Sequence, residues 1–170
     1  MAVTNPTYAT KAALTVTAWD SLAADDWASS AALDNSSNLY MDVLIGGELA
    51  ASATTLAAGE SFDIYCAARY DADDANSYSG GLGDAFGAND STLTEDTEFN
   101  PENLFFLISV GIENTAPDTT QDYMWGPTTI AQVFGGVLPL DVMLVLHNNT
   151  GSAMTTGNVC EYYGITYTTT

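Results

Sequence analysis

Basic side chains are almost missing from this chain. Lys11 and Arg69 stand against 22 acids, which leaves a net charge of -20 over 170 residues. Proteins that bind nucleic acid displace counterions from phosphates with Lys and Arg, and this sequence has almost none to offer. An anionic membrane surface would repel it for the same reason. Histidine is scarce too: His147 is the only one, so no second imidazole exists to share a zinc ion. The two cysteines, Cys66 and Cys160, lie inside apolar runs and read as buried free thiols, with a cross-strand bridge as the alternative. No run approaches the roughly 18 apolar residues of a membrane-spanning helix. A glycine-rich phosphate loop is also missing. The remaining partners are cations, neutral surfaces such as glycans, and proteins that present a basic or apolar face.

What is present is apolar content in short runs. Hydrophobic residues make up 46% of the chain, too many for a disordered acidic tail. The length suits one domain with a sizeable core. The N-terminal MAVTNPTYATKAAL lacks the basic-then-apolar layout of a secretory signal, so synthesis in a cytoplasm is the expectation. Strong acidity with scarce Lys also predicts a fold that repels itself and gains from screening salt.

The dominant pattern is alternation with period two, the mark of half-buried strands. Leu39, Met41, Val43 and Ile45 fall on one face, as do Phe62, Ile64, Cys66 and Ala68. Leu104, Phe106, Ile108, Val110 and Ile112 form the strongest run, and Phe105 and Leu107 make its other face apolar as well. Leu140, Val142, Leu144 and Leu146 form another strand, and Val159, Tyr163, Ile165 and Tyr167 the last. Ala13, Thr15 and Thr17 suit an N-terminal strand, and Trp27 to Leu33 a short one after the turn at Asp25-Asp26. Thr128 to Phe134 reads as a strand or a single helical turn. Gly46-Gly47, Gly135-Gly136 and Asn148-Asn149-Thr150-Gly151 supply turn chemistry. Seven or eight strands without intervening helices predict an all-β fold: a single antiparallel β-sandwich, jelly-roll-like, spanning residues 1–170. Residues 1–11 read as an extended N-terminal arm. Residues 70–102 read as one long acidic loop, far longer than an ordinary connection and free to meet a partner.

Sites of chemistry are weakly supported. Asp71, Asp73, Asp74 and Asn76 resemble the start of a calcium loop, but Ala75 fills a ligand place and no Glu closes the loop. A solvated acidic turn is the preferred reading, with no metal and no cofactor. His147 ends an apolar strand and has no nucleophile fixed beside it by sequence. Adjacent acids such as Asp25-Asp26 would point to opposite faces of a strand. A polysaccharide hydrolase would need two carboxylates about 5–10 Å apart in a cleft, and no specific pair stands out. The expectation is therefore a protein without enzymatic activity. Among the aromatic residues Trp19, Trp27, Trp125, Tyr65, Tyr78, Tyr162, Tyr163 and Tyr167, those at strand spacing read as packing partners. The contact candidates are Trp125, Tyr78 and Phe86, with Thr4 and Tyr8 on the N-terminal arm.

Three stretches, SLAADDWASSAALDNSSNLYMDVLIGGEL, TTIAQVFGGVLPLDVMLVLHNNTGSAM and EYYGITYTT, together resemble small virion structural proteins of tailed bacteriophages. The resemblance rests on the DNSSNLY segment between strands, the FGGVLP turn, and the Asn-Thr-Gly turn before a Tyr-rich closing strand. It covers about two thirds of the chain; the long acidic loop lies outside it. It implies a β-sandwich on the outer surface of a phage head or in a tail. The expected function is then capsid decoration or cementing: binding to a major capsid protein, as a homo-oligomer with a trimer favoured, and localisation to the virion after synthesis in host cytoplasm. The alternative is a tail fibre or receptor-binding module for a host surface glycan, built on a platform with Tyr78 and Trp125 close together.

Overall fold

The alternation over 61–69 becomes a strand whose side chains Phe62, Ile64 and Cys66 are fully buried. The computed structural model describes residues 4–51, 56–69, 90–93, 100–112 and 121–169. These form two antiparallel sheets. The first runs β1 (Thr4–Tyr8), β11 (Val159–Thr169), β5 (Asp42–Ala51), β9 (Gln121–Thr129), and β2 (Ala12–Leu14) also pairs with β11. The second runs β7 (Thr92–Leu93), β3 (Trp27–Ser29), β10 (Asp141–Asn149), β6 (Ser61–Ala68), β8 (Phe105–Gly111), and β4 (Leu33–Asp34) also pairs with β10. Among the described residues there is no α-helix, and no helix long and apolar enough to cross a membrane.

The sheets pack as a sandwich. Val43, Ile45, Leu49, Trp125 and Cys160 from the first sheet meet Phe62, Ile64, Cys66, Leu144 and Leu146 from the second in one buried cluster. Apolar area removed from water is the main favourable term here. Both thiols are free and buried. Burial pushes the Cys66 thiol up to about 12 and raises Cys160 as well, so neither forms thiolate at neutral pH.

Some strand readings need correction, and one open alternative is resolved. Leu39 and Met41 do not share the buried face of Val43 and Ile45. They are exposed, because Leu39 adopts a left-handed turn conformation (φ 52°) and the strand begins only at Asp42. The two-sided apolar run of β8 has a local cause. Cys66 lies opposite Phe105 and Tyr65 opposite Phe106, but Ile64 lies opposite Ile108. Leu107 is thus the extra residue of a β-bulge, which moves the inward phase from odd to even positions. Phe105, Leu107, Ile108 and Val110 all pack on the core, and Phe106 is left outside. The segment 128–134 is both things in turn: strand to Thr129, then a 3-10 turn over Ala131–Phe134 closed by Gly135 in the left-handed region.

The N-terminal segment is not an arm over its described part. Thr4 to Tyr8 pairs along β11, Thr4 opposite Thr169 and Tyr8 opposite Ile165. Pro6 lacks an N–H, which an edge strand tolerates. Residues 70–102 also include ordered contacts. Thr92–Leu93 pairs with β3, and the Asp90 carboxylate accepts the Ala18 N–H at 2.6 Å.

Candidate functional site

The outer face of the first sheet is set by register. Tyr163 lies opposite Leu44 and Glu161 opposite Gly46, while Tyr162 lies opposite the buried Ile45. Odd-numbered residues of β11 therefore point away from the core, as strand alternation requires. Val159, Glu161, Tyr163, Ile165 and Tyr167 share this side by alternation, with Ile165 buried between the exposed Tyr163 and Tyr167. Tyr8 joins them opposite Ile165, and Pro6 opposite Tyr167. Across β5, Met124 sits opposite Glu48 and is 73% exposed. Tyr8 (56%) and Tyr167 (52%) are similarly open to solvent. The result is a row of tyrosines on a regular sheet, flanked by aliphatic side chains.

A shallow groove of about 380 Å³ crosses this face where the β5–β9 ladder breaks. Its wall includes Leu44, Met124, Pro127 and Tyr163, with Lys11 and Glu161 at one side. The groove exists because Gly46 has no side chain. A Cβ there would lie 2.8 Å from the Trp125 carbonyl oxygen, and Gly126 (φ 75°) turns β9 away. Gly126 needs the left-handed region that glycine adopts without steric cost.

Both cations of the chain are spent internally. Lys11 Nζ lies 2.7 Å from Glu161 Oε1, and the hydrogen bond and charge of Glu161 raise the ammonium above its ordinary value. Arg69 pairs with the Asp141 carboxylate in the second sheet. Neither is left to attract an anionic ligand. On the tyrosine face the Lys11–Glu161 pair cancels, Glu48 lies between Val159 and Met124 on β5, and Asp122 lies on the edge strand β9.

The sequence candidates fall unevenly on this surface. Tyr8 belongs to it, and Thr4 lies in the same edge strand opposite Thr169. Trp125 does not: it faces the core at 4% exposure and lies opposite Gly47, and its Nε1 has no hydrogen-bond partner. A side chain at position 47 is blocked first by the Val159 carbonyl and then by the indole, whose Nε1 a Cβ there would meet at 3.0 Å. A glycan platform pairing Tyr78 with Trp125 therefore loses the indole. Tyr78, Phe86 and the calcium candidates Asp71, Asp73, Asp74 and Asn76 lie outside the described residues. Tyr163, Tyr167 and Met124 were not among the contact candidates. Glu161, two residues from Tyr163, was the available sign that this side of the strand faces water.

Among the described residues no group of three metal-ligating side chains occurs. His147 stacks on Trp27 with ring centroids 3.9 Å apart and planes 6° apart, and its Nε2 is 3.5 Å from Asp25 Oδ1. The imidazole is held as a packing partner of Trp27. No protein family, curated protein or solved structure matches this chain.

Proposed function

We propose that the chain is a non-enzymatic virion structural protein that decorates the outside of a tailed-phage head, docking through the outer face of its first sheet. The observation that carries this reading is the solvent-exposed set Tyr8, Tyr163 and Tyr167 on the outer face of the first sheet. Tyrosine brings large contact area at low entropic cost and is enriched where proteins bind one another. With both cations paired internally, the complementary surface on the capsid protein is apolar with a basic rim. Its basic groups would meet Glu48 within the face and Asp122 on the β9 edge. Binding of this kind stabilises the assembled lattice by mass action and needs no chemistry. The resemblance of the strand-borne segments to phage virion proteins points the same way, and a trimeric assembly on the lattice is part of the proposal.

The test is co-sedimentation with emptied capsids. The double variant Tyr8→Ala/Tyr167→Ala should lose binding at least about tenfold while its melting stays cooperative. Binding equal to that of the parent chain would rule out this face. Deleting residues 2–11 is a poorer probe, because it also strips the edge strand from β11 and removes the partner of Glu161.

A further inference from the structure

The opposite side of the sandwich carries a second organised surface. On the outer face of the second sheet, Trp27, His147, Asp63 and Ser109 follow one another in register across β3, β10, β6 and β8; the Trp27 end is buried in a second apolar cluster with Met143 and Val145, and the Ser109 end is exposed. Neighbouring strands are about 4.8 Å apart, so these four form one continuous row. Asp63 is its hinge. Its Oδ1 accepts from Ser109 Oγ at 2.5 Å, and its Oδ2 accepts from Asn149 Nδ2 at 3.3 Å. In the next row Tyr65 lies opposite Phe106, a residue 54% exposed.

Phe106 is held in place by a relay of rings. It meets Tyr65 edge-on at 5.5 Å, Tyr65 meets Trp27 at 5.4 Å, and Trp27 stacks on His147. The bulge at Leu107 puts Phe106 outside the core on an otherwise apolar strand. An exposed, braced phenyl ring therefore sits in the row next to the Asp63 carboxylate and the Ser109 hydroxyl, with Asn149 one row beyond them and bonded to Asp63.

We propose that this face binds a neutral oligosaccharide. The Phe106 ring takes the C–H face of one pyranose, and Asp63, Ser109 and Asn149 engage hydroxyls on that sugar or the next. Side-by-side donors and acceptors suit vicinal hydroxyls, each of which donates and accepts. Uronic and sialic acids are disfavoured by the charge of -20, with no unpaired cation to receive a carboxylate. The site is independent of the docking face. A protein seated through its first sheet would present this one outward.

The test uses the isolated full chain. Maltohexaose, cellohexaose and mannohexaose are titrated separately by NMR, with hexagalacturonate and tetramethylammonium as charged comparisons. At least one neutral hexasaccharide should shift the amide signals of Phe106, Ser109 and Asn149, with a Kd of about 1 mM. Phe106→Ala and Asp63→Ala should each weaken binding about tenfold or more with cooperative melting retained, and Tyr167→Ala on the other face should leave it unchanged. The proposal is overturned by absence of shifts from every neutral sugar at about 10 mM. It is equally overturned by binding that survives Phe106→Ala, or by tighter binding of hexagalacturonate or tetramethylammonium.

Discussion

Arg69 and Asp141 form an ion pair that is largely out of water, and it consumes the only arginine of the chain. Asp141 begins β10 opposite Asp34, and its carbonyl also accepts the Arg69 backbone N–H at 3.2 Å. Burial raises the Asp141 carboxyl above its ordinary value, Arg69 pulls it back down, and nearby Asp34 adds to the rise. An acidic protein that places a carboxylate in its interior needs a counter-charge, and here one of its two cations supplies it.

Arg69→Met therefore leaves Asp141 buried and unpaired, at a cost of about 3 kcal/mol at neutral pH. The pH sign follows from linkage. A carboxyl whose folded pKa is raised binds its proton more tightly when folded, so stability is regained as pH falls through that raised value. The deficit should be largest at neutral pH and shrink on acidification toward pH ~4. Urea titrations of both proteins at the two pH values provide the check. A deficit that does not change with pH would mean that the lost packing of Arg69, and not the unpaired charge, is the cause.

Gly164 makes the second prediction. A Cβ at this position would fall 2.3 Å from Tyr40 Cζ, inside the ring. Tyr40 cannot retreat easily, because the buried Asn35 clasps its backbone: Asn35 Oδ1 accepts the Tyr40 N–H at 2.7 Å and Nδ2 donates to its carbonyl at 3.1 Å. Gly164→Ala should cost about 1–3 kcal/mol by overpacking. In a Tyr40→Ala background the same change should cost much less, which a double-mutant cycle measures. Gly111→Ala serves as the control, since a Cβ there meets nothing within 4 Å. Equal costs in both backgrounds would show that the ring is not the obstacle.

Gly164 also shows where sequence reading stops. Alternation located β6 and β10 because their inward residues are all apolar. It also placed Tyr163, Ile165 and Tyr167 together on one face of β11, but it could not say which face is the core. The inward positions are Cys160, Tyr162 and Gly164, and a glycine that admits a neighbouring ring carries no hydrophobic signal. Trp125 was misread for the matching reason: a tryptophan beside Gly-Pro looks like an exposed turn until Gly47 is found opposite it. The phase change in β8 depends on one inserted residue, which composition does not reveal. The docking face was half legible, through Tyr8. The row around Asp63 was not, because it is assembled from four strands distant in sequence.

Salt should stabilise this fold. The described carboxylates include several that hold loops in place. Asp20 Oδ1 accepts from Gly157 and Asn158, and Glu60 accepts from Ala57 and Gly151. These bonds use acids without cancelling their charge, so self-repulsion at -20 remains. At about 1 M salt the screening length falls to about 3 Å. The melting midpoint should rise by several degrees between about 20 mM and 1 M NaCl, with most of the rise below about 0.2 M, where screening changes fastest. A flat profile would mean that the acids are spaced widely enough not to oppose folding.

Asp34 behaves oppositely to its neighbour Asp141. Hydrogen bonds from Ser36, side chain first and then the backbone N–H at 2.8 Å, hold its carboxyl below the ordinary value of 3.8, and Arg69 adds to this. A depressed folded pKa means that the charged form is favoured in the folded state. The contribution is fully present above pH 3.8 and disappears as pH falls through the folded value beneath it. Because the carboxylate is exposed, water screens the effect, and it should amount to less than about 1 kcal/mol. Asp34→Asn removes the titration and keeps most of the turn geometry. Its melting midpoint should lie slightly below that of the parent chain at neutral pH, and the two curves should converge as the pH drops below 3.8. Melting curves recorded by circular dichroism across that range decide the matter. Parallel curves with a constant offset would assign the turn's stability to shape alone, with no share from the charge.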